Sequence, residues 1–322
     1  MRRRSLGQLG FEDIAVSRRG NGGRDGLAEI ERLVDWAPLE RLVGAIHTSS
    51  RGEPAYPPLV MFKVLLLQRW YGLSDPAMEA ALSDRLSFLR FAGLSLSDET
   101  PDHSTIWRFR QKLIEGGLAE KLFGEVVVQL GRRGFLLKTG TLVDASLVTS
   151  AARRPRMNEP KQSPTDPDAR FGTSNERGRF AFGYKVHVAV DLGTGLVRAL
   201  ELTPANLQEV EVAPRLIPAD AGTVYADRAY DAASLHQHLA ARGLADGLMR
   251  RARKDKPLSP ADQARNHALA PVRRNVERLF GTMKRSYRMG RMRAFSLARN
   301  AVDLHLFAIA VNLRRWHRIV TP

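Results

Sequence analysis

Apolar residues recur every three to four positions along the first third of the chain, which is the spacing of amphipathic helices. A strongly apolar helix opens at Pro57-Pro58 and continues through Trp70. Ser74 stands where it can cap the next helix. The pattern predicts an all-helical domain over residues 26–136, preceded by a flexible, Arg- and Gly-rich arm at residues 1–25.

At about Leu137 the apolar period shortens to two residues, which is typical of half-buried strands. Strands are predicted at 142–148, 184–190, 196–203, 223–227 and 247–249. Helices are predicted at 208–217, at 231–241, from Pro271 to about 288 and at 300–316. The order predicts an α/β domain over residues 137–322, with a mixed five-stranded sheet, flanking helices and a C-terminal helix. The polar stretch 151–179 is predicted to be a mobile loop.

The chain is strongly basic, with 50 Lys and Arg against 34 Asp and Glu and a net charge of +16. Between Arg250 and Arg293, 14 basic side chains stand beside 3 acidic ones. A GC-rich genome would raise the Arg content everywhere but would not cluster it. The surplus therefore favours a polyanion such as nucleic acid as the partner.

The absence of cysteine excludes disulfides and thiolate zinc sites. No apolar run is long enough to span a membrane, and no apolar signal core follows the basic N-terminus. We therefore expect a soluble, cytoplasmic protein with no membrane partner.

Two aspartates occupy positions where a carboxylate is costly to bury. Asp144 lies in the middle of one apolar strand and Asp227 at the end of another. Taken singly, each is more often a helix cap or an ion-pair partner than a catalytic group. Together they suggest a site made of oxygen ligands, of the kind that Mg²⁺ prefers.

The helix predicted after Pro271 offers a third acid. At 100° per residue, Arg273, Glu277 and Lys284 fall on one polar stripe beside the apolar face. A solvated Arg–Glu pair one turn apart would give the same pattern. With the two aspartates, however, Glu277 completes a set of three carboxylates. His236 and His238 do not share a helix face, and we interpret them as structural surface residues.

Four motifs follow one another in the α/β region: Val143-Asp144-Ala145-Ser146, Phe182-Gly183-Tyr184-Lys185-Val186-His187, Ala226-Asp227-Arg228-Ala229-Tyr230-Asp231 and Arg273-x-x-x-Glu277-x-x-x-x-x-x-Lys284. The helical region adds Tyr56-Pro57-Pro58 and Pro101-Asp102-His103-Ser104-Thr105. Together these motifs resemble the DDE transposases of bacterial insertion sequences, most closely the insertion sequence five group. The chain departs from that pattern at Ala229, where Gly is usual, and at Ala270, where Tyr is usual.

The resemblance implies an RNase H-like catalytic domain in which Asp144, Asp227 and Glu277 bind two Mg²⁺ ions, with Mn²⁺ as a substitute. It implies cleavage of DNA at the transposon ends, followed by attack of the freed 3′-hydroxyl on target DNA. Arg273 and Lys284 would contact DNA near the cut. A homodimer on double-stranded DNA is expected, because two ends must be cut and joined together.

The helical domain is expected to bind the terminal repeats and to dimerise. Its candidate contacts are Arg108, Arg110 and Lys112, on a helix whose Trp107 we place on the apolar side. An ordinary bundle helix with solvated arginines is an equal alternative. Two rival functions remain open for the whole chain: a stand-alone metal-dependent nuclease, and a DNA-binding descendant of a transposase that no longer cuts. An active transposase would be cytoplasmic and associated with the nucleoid.

Overall fold

The computed structural model describes residue 4 and residues 6–8, 26–46, 54–156, 158–173, 180–254 and 257–321. Most of the predicted arm at residues 1–25 therefore lies outside the described residues. Two compact units divide the chain. The first is Met1–Gln129 together with His305–Pro322, and the second is Leu130–Leu304.

The first unit is helical, as predicted. Its helices are α1 (Leu27–Leu33), α2 (Trp36–Val43), α3 (Pro58–Tyr71), α4 (Asp75–Asp84), α5 (Leu86–Ala92), α6 (His103–Glu115) and α7 (Leu118–Arg132), which ends just inside the second unit. Ser74 caps α4 by accepting a hydrogen bond from the N–H of Ala77. The middle of α3 is buried on all sides, so this helix forms the centre of the helical core.

The last helix, α11 (Leu297–Val320), is divided between the units, whereas the sequence pattern placed all of it in the α/β domain. Its residues from His305 onward cluster with the helical unit. There the indole N–H of Trp70 donates to the carbonyl of Ala310 at 2.8 Å, and Trp316 is buried. An apolar stripe identifies a buried helix face but not the unit that covers it.

The second unit is a mixed α/β domain, as predicted. Its strands are β1 (Gly140–Thr149), β2 (Arg170–Thr173), β3 (Phe180–Asp191), β4 (Val197–Pro204), β5 (Thr223–Ala226) and β6 (Ala245–Leu248). Its helices are α8 (Glu209–Leu216), α9 (Ala233–Ala241) and α10 (Pro260–Gly281), together with the beginning of α11.

The strand order of the sheet is β4-β3-β1-β5-β6, with β2 pairing beside β4 on the same edge of β3. Strand β3 runs antiparallel to its neighbours, whereas β1, β5 and β6 are parallel to one another. A three-stranded meander that continues into parallel strands is the RNase H-like arrangement. One face of the sheet packs on α8 and α9 around Val143, Val224 and Leu239.

Part of the predicted mobile loop is built into the domain. The described residues between 151 and 173 include β2, a strand in addition to the five predicted ones. Its polar surroundings in the sequence show no strand pattern. Asp166 is fully buried and accepts hydrogen bonds from the hydroxyls of Ser150 and Tyr184 and from the N–H of Ser296. This buried carboxylate fastens the segment to the sheet. Residues 157 and 174–179 lie outside the described residues.

The helix predicted to open at Pro271 begins eleven residues earlier, at Pro260. Ser259 caps it by accepting from the N–H of Asp262, and Pro271 stands inside the helix. After Gly281 the helix widens into a π turn at Thr282–Ser286. In the described part of the chain, no helix is long and apolar enough to cross a membrane.

Candidate active site

Two aspartates meet where the parallel strands end. Asp144 lies in β1 just past the last residue that pairs with β5, and Asp227 directly follows β5. Helix α10 contributes Arg273, whose Nη2 donates to Asp144 Oδ2 at 3.1 Å and lies 4.0 Å from Asp227 Oδ2. Because one nitrogen approaches both carboxylates, the two acids face the same point, and a positive charge already lies there.

Burial dominates the electrostatics of Asp144, whose side chain is only 13% exposed. The loss of hydration raises the pKa of this carboxyl from 3.8 to about 6. The Arg273 guanidinium and the N–H of Ala145 oppose the rise, whereas the charges of Asp227 and Glu209 add to it. The loss of hydration thus outweighs the favourable contact with the Arg273 guanidinium.

Asp227 also shapes the backbone that follows it. Its Oδ1 accepts a hydrogen bond at 2.8 Å from the N–H of Ala229 and so caps the short 3₁₀ turn Arg228–Tyr230. Ala229, which stands where the resembling transposases usually have Gly, therefore leaves this cap intact. Tyr230 packs into the core beneath Asp227 and is 1% exposed, but its buried hydroxyl has no hydrogen-bond partner among the described residues.

Glu277 is not drawn into this cluster. It lies one turn of α10 after Arg273, is exposed, and makes no hydrogen bond or ion pair within the described residues. Among those residues, no group of three His, Asp or Glu side chains is close enough to hold a metal ion as it stands. The structure thus brings Asp144, Asp227 and Arg273 together and leaves Glu277 on the neighbouring turn.

The residues present fit a hard divalent cation. Asp144 and Asp227 offer carboxylate oxygens to the single point that one nitrogen of Arg273 now occupies. Mg²⁺ is bound by one or two carboxylates and keeps water or phosphate oxygens as its remaining ligands, so two aspartates are sufficient protein ligands for one ion. The Tyr230 hydroxyl shows that the described part of the chain does not satisfy every polar group around these acids.

The sequence did not single out a second ion pair beside the aspartates. Lys185 on β3 and Glu209 at the start of α8 are both largely buried, with 3.2 Å between Lys185 Nζ and Glu209 Oε1. Burial, followed by the charge of Asp227 among other causes, raises the pKa of Glu209, although Lys185 opposes the rise. A lysine between Tyr184 and Val186 in a buried strand indicates that a counter-charge must lie nearby.

A different group of charges lies just beyond Asp227. His236 is not the surface residue we expected, because its ring is held between Asp231 Oδ1 at 2.8 Å and Asp246 Oδ2 at 3.0 Å. Arg250 contacts both of these aspartates, and Arg265 contacts Asp246. We refer to Asp231, His236, Asp246, Arg250 and Arg265 as the histidine cluster.

The candidate DNA contacts on α6 have different surroundings. Arg110 is largely buried and donates to Asp75 at 2.6 Å and to Gln68 at 2.7 Å, which favours a structural role over the DNA contact that we expected. Arg108 is exposed, and Lys112 is half-buried. Trp107 is 50% exposed, so it does not lie on the apolar side of its helix.

A basic loop leaves the sheet next to the aspartates. Residues 250–254 follow β6, and Arg251, Arg253 and Lys254 are exposed. Buried Asn266 holds the start of this loop by accepting from the N–H of Arg250 and donating to its carbonyl. The N–H of Arg251 donates to Asp231 at 2.8 Å. The backbone of the loop is thus fixed while its cations face solvent. Lys284, in the π turn, is exposed as well.

Comparison with known proteins gives matches over both units. Residues 18–112 match the family model described as "Transposase domain (DUF772)", and residues 136–313, more than half of the chain, match "Transposase DDE domain". A similar solved structure is the cryo-EM structure of the piggyBac transposase synaptic complex with hairpin DNA. It has a TM-score of 0.46 and 10% sequence identity, covering 91% of this chain and 74% of that chain.

Proposed function

The chain belongs to the DDE transposase family, typical of bacterial insertion sequences, and we propose that it cuts and joins the ends of its own insertion sequence. In this proposal it binds the terminal inverted repeats, cleaves DNA with two metal ions and transfers the 3′-hydroxyl end to target DNA. We further propose that it belongs to the insertion sequence five group. The supporting observation is that Asp144 and Asp227 face one point at the end of the parallel strands.

In the proposed site, Asp144 and Asp227 hold one Mg²⁺ and Glu277 completes the site for a second. Such ions activate the attacking oxygen and stabilise the leaving oxygen in phosphoryl transfer, and Mn²⁺ can replace Mg²⁺ in this role. Glu277 is exposed and one turn from Arg273, so its carboxylate is free to turn toward the aspartates. Tyr230 is a packing residue and not a nucleophile, since its hydroxyl is fully buried.

Arg273 has two functions in this proposal. Without DNA it partly offsets the charge of the two aspartates, and in the part of the chain that the structure describes its buried Nε has no partner. A guanidinium at that point is placed to donate to a phosphate oxygen, the acceptor that its planar shape fits best. We propose that Lys284, about three turns farther along the helix and in the π turn, contacts the same DNA end.

The DNA is proposed to approach the basic loop at residues 250–254. Arg251, Arg253 and Lys254 project from a backbone that Asn266 and Asp231 hold in place. We refer to the edge of the sheet around Asp144, Asp227 and Glu209 as the acidic edge. Cations beside it would bring the phosphate backbone of DNA to the aspartates and offset the repulsion between phosphates and carboxylates.

The helical domain, residues 26–136, is proposed to read the terminal repeats, with Arg108 and Lys112 as contacts. Exposed Trp107 beside Arg108 adds a flat apolar surface to that helix. A homodimer in the DNA complex is proposed, since one complex must hold two ends. The protein would act in the cytoplasm, on the nucleoid.

The test uses supercoiled DNA that carries the sequences flanking the gene. The purified protein is incubated with Mg²⁺ or with EDTA, beside an Asp227→Ala variant, and the nicks are mapped to the nucleotide. We expect metal-dependent nicks at the edges of flanking inverted repeats, and none from the variant. Tight binding without cleavage in Mg²⁺ or Mn²⁺ would instead favour the non-cutting descendant, and cleavage without joining would favour a nuclease.

A further inference from the structure

The buried pair formed by Lys185 and Glu209 is unusual, because a buried ion pair is costly to form from groups that are hydrated in the unfolded chain. Lys185 Nζ donates to the carbonyl of Leu207 at 2.9 Å and lies 3.2 Å from Glu209 Oε1. The lysine thus fixes both the backbone before α8 and the first carboxylate of that helix. Helix α8, which begins at Glu209, packs against β1, the strand of Asp144, and against the 3₁₀ turn that follows Asp227. The charge of Glu209 accordingly disfavours the charged form of Asp144, and the charge of Asp227 disfavours that of Glu209.

A second observation points to the same place. Among the residues that the structure describes, none is a hydrogen-bond partner of the buried Tyr230 hydroxyl, on which the charges of Glu209, Asp144, Asp227 and Arg273 act. Tyr230 belongs to the turn that Asp227 caps and shares a core cluster with Val143, the neighbour of Asp144, so one unsatisfied polar atom lies beside the two aspartates. A buried hydroxyl among carboxylates normally donates to one of them or to water, and an atom left unpaired indicates that the group bound there is not part of the chain.

We propose that Glu209, held by Lys185, is a positioning residue of the metal centre whose buried charge strengthens divalent-cation binding by Asp144 and Asp227 without ligating the ion. The inference rests on the proposed function, since it assumes that the two aspartates bind metal. Groups behind metal ligands commonly tune affinity in this way, and their loss weakens metal binding by about 10-fold to 100-fold.

The Lys185–Glu209 pair predicts the direction in which each substitution changes metal affinity. Removing the charge of Glu209 leaves Lys185 as an uncompensated buried cation that repels a metal ion. Removing both charges together returns the local charge to its original balance. A direct ligand would behave differently, because the loss of its oxygen could not be repaired by removing a lysine.

The test is a Mn²⁺ titration of the full chain, with free Mn²⁺ measured by electron paramagnetic resonance. The variants are Glu209→Gln, the double variant Glu209→Gln with Lys185→Met, and Glu211→Gln as the matched control. Glu211 is an exposed carboxylate on the same helix. Thermal unfolding without metal identifies any variant that fails to fold, and the Mg²⁺ dependence of cleavage is measured in parallel.

We expect Glu209→Gln to weaken Mn²⁺ binding about 10-fold and to shift the Mg²⁺ midpoint of cleavage equally, with the maximal rate nearly kept. The double variant should return to within about 3-fold of the wild type, and Glu211→Gln should match the wild type. Wild-type affinity in a folded Glu209→Gln protein would overturn the inference, as would a double variant as weak as the single one. If the wild type binds Mn²⁺ but cuts no DNA, the proposed function fails while this inference stands.

Discussion

The acidic edge around Asp144 and the neighbouring histidine cluster are built from similar residues but differ in their charge balance. In the histidine cluster, His236 and Arg250 contact Asp231 and Asp246 directly. Burial raises the pKa of both aspartates, but their hydrogen bonds and positive neighbours outweigh it and hold each pKa below its usual value. At the acidic edge, burial prevails, and the pKa values of Asp144 and Glu209 rise.

The difference supports the proposal that the acidic edge binds a ligand, whereas the histidine cluster is architectural. The carboxylates of the histidine cluster find their partners within the chain, so that cluster can fasten the turn after Asp227 to β6 and α10. The acidic edge has more carboxylates than cations, and two of its buried polar atoms, Tyr230 Oη and Arg273 Nε, lack a partner within the described residues. Acids whose pKa values are raised by burial beside like charges cluster at functional sites, which makes this edge a candidate for one.

The largest expected effect is on DNA cleavage. Asp227→Asn should lower the rate by about 1000-fold or more, because a ligand that stabilises transition-state charge is worth several kcal/mol. Asp231→Asn, four residues away in the histidine cluster, should stay within about 10-fold of the wild type once the folded fraction is matched. Single-turnover cleavage of end-containing DNA measures both. Equal losses would remove the distinction between the two sites.

Glu277 tests whether the acidic edge extends to α10. Glu277→Gln should lower cleavage by about 100-fold or more while Mn²⁺ still binds at the aspartates. Stability should change by no more than about 0.5 kcal/mol, because the side chain is exposed and unpaired. Single-turnover cleavage and urea unfolding provide the two readings. Full activity in Glu277→Gln would remove it from the catalytic set.

Stability should respond in opposite directions at the two sites. The charged form of Asp144 is disfavoured in the folded protein, so Asp144→Asn should raise the free energy of unfolding at pH 7.5 by about 1–3 kcal/mol. The gain should fade as the pH drops from about 6 to 4, where the wild-type carboxyl becomes protonated. Asp246→Asn should lower stability at pH 7.5, because its charged form is favoured. Urea unfolding at pH 7.5 and 4 checks both signs, and a loss in Asp144→Asn would contradict the account.

The smallest effects are expected on α6, where one arginine is exposed and the other is paired with an aspartate. Arg108→Ala should weaken binding to terminal-repeat DNA a few-fold and flatten the salt dependence by about one unit, since an exposed cation is lost. Arg110→Ala should instead lower stability, because it leaves Asp75 without its buried partner. Fluorescence anisotropy over a salt series and thermal unfolding separate the two roles. Weaker binding by a fully stable Arg110→Ala protein would restore Arg110 as a DNA contact.

The sequence predicted the features that depend on local pattern. The change of period near Leu137 identified the mixed sheet, and the apolar flanks of Asp144 and Asp227 singled out both aspartates. Ser74 was recognised as a cap because capping needs only a few neighbouring residues.

Features that depend on distant partners could not be read from the sequence in the same way. The pairing of Lys185 with Glu209, or of Arg110 with Asp75, exists only after strands and helices pack. Pro271 predicts a helix start because proline is common in the first turn of helices. The helix instead begins eleven residues earlier, where Ser259 caps it and Pro260 occupies the first turn. The strand β2 was concealed because a single buried carboxylate, Asp166, anchors a segment of polar composition.

The most direct test of the account is a calorimetric Mn²⁺ titration of the wild type at pH 7.5, beside the double variant Asp144→Asn with Asp227→Asn. The account predicts that the wild type binds Mn²⁺ and that the folded double variant does not, while Asp231→Asn with Asp246→Asn still binds if folded. Retained Mn²⁺ binding by the double variant, or no binding by the wild type, would contradict the claim that this edge of the sheet is a metal site.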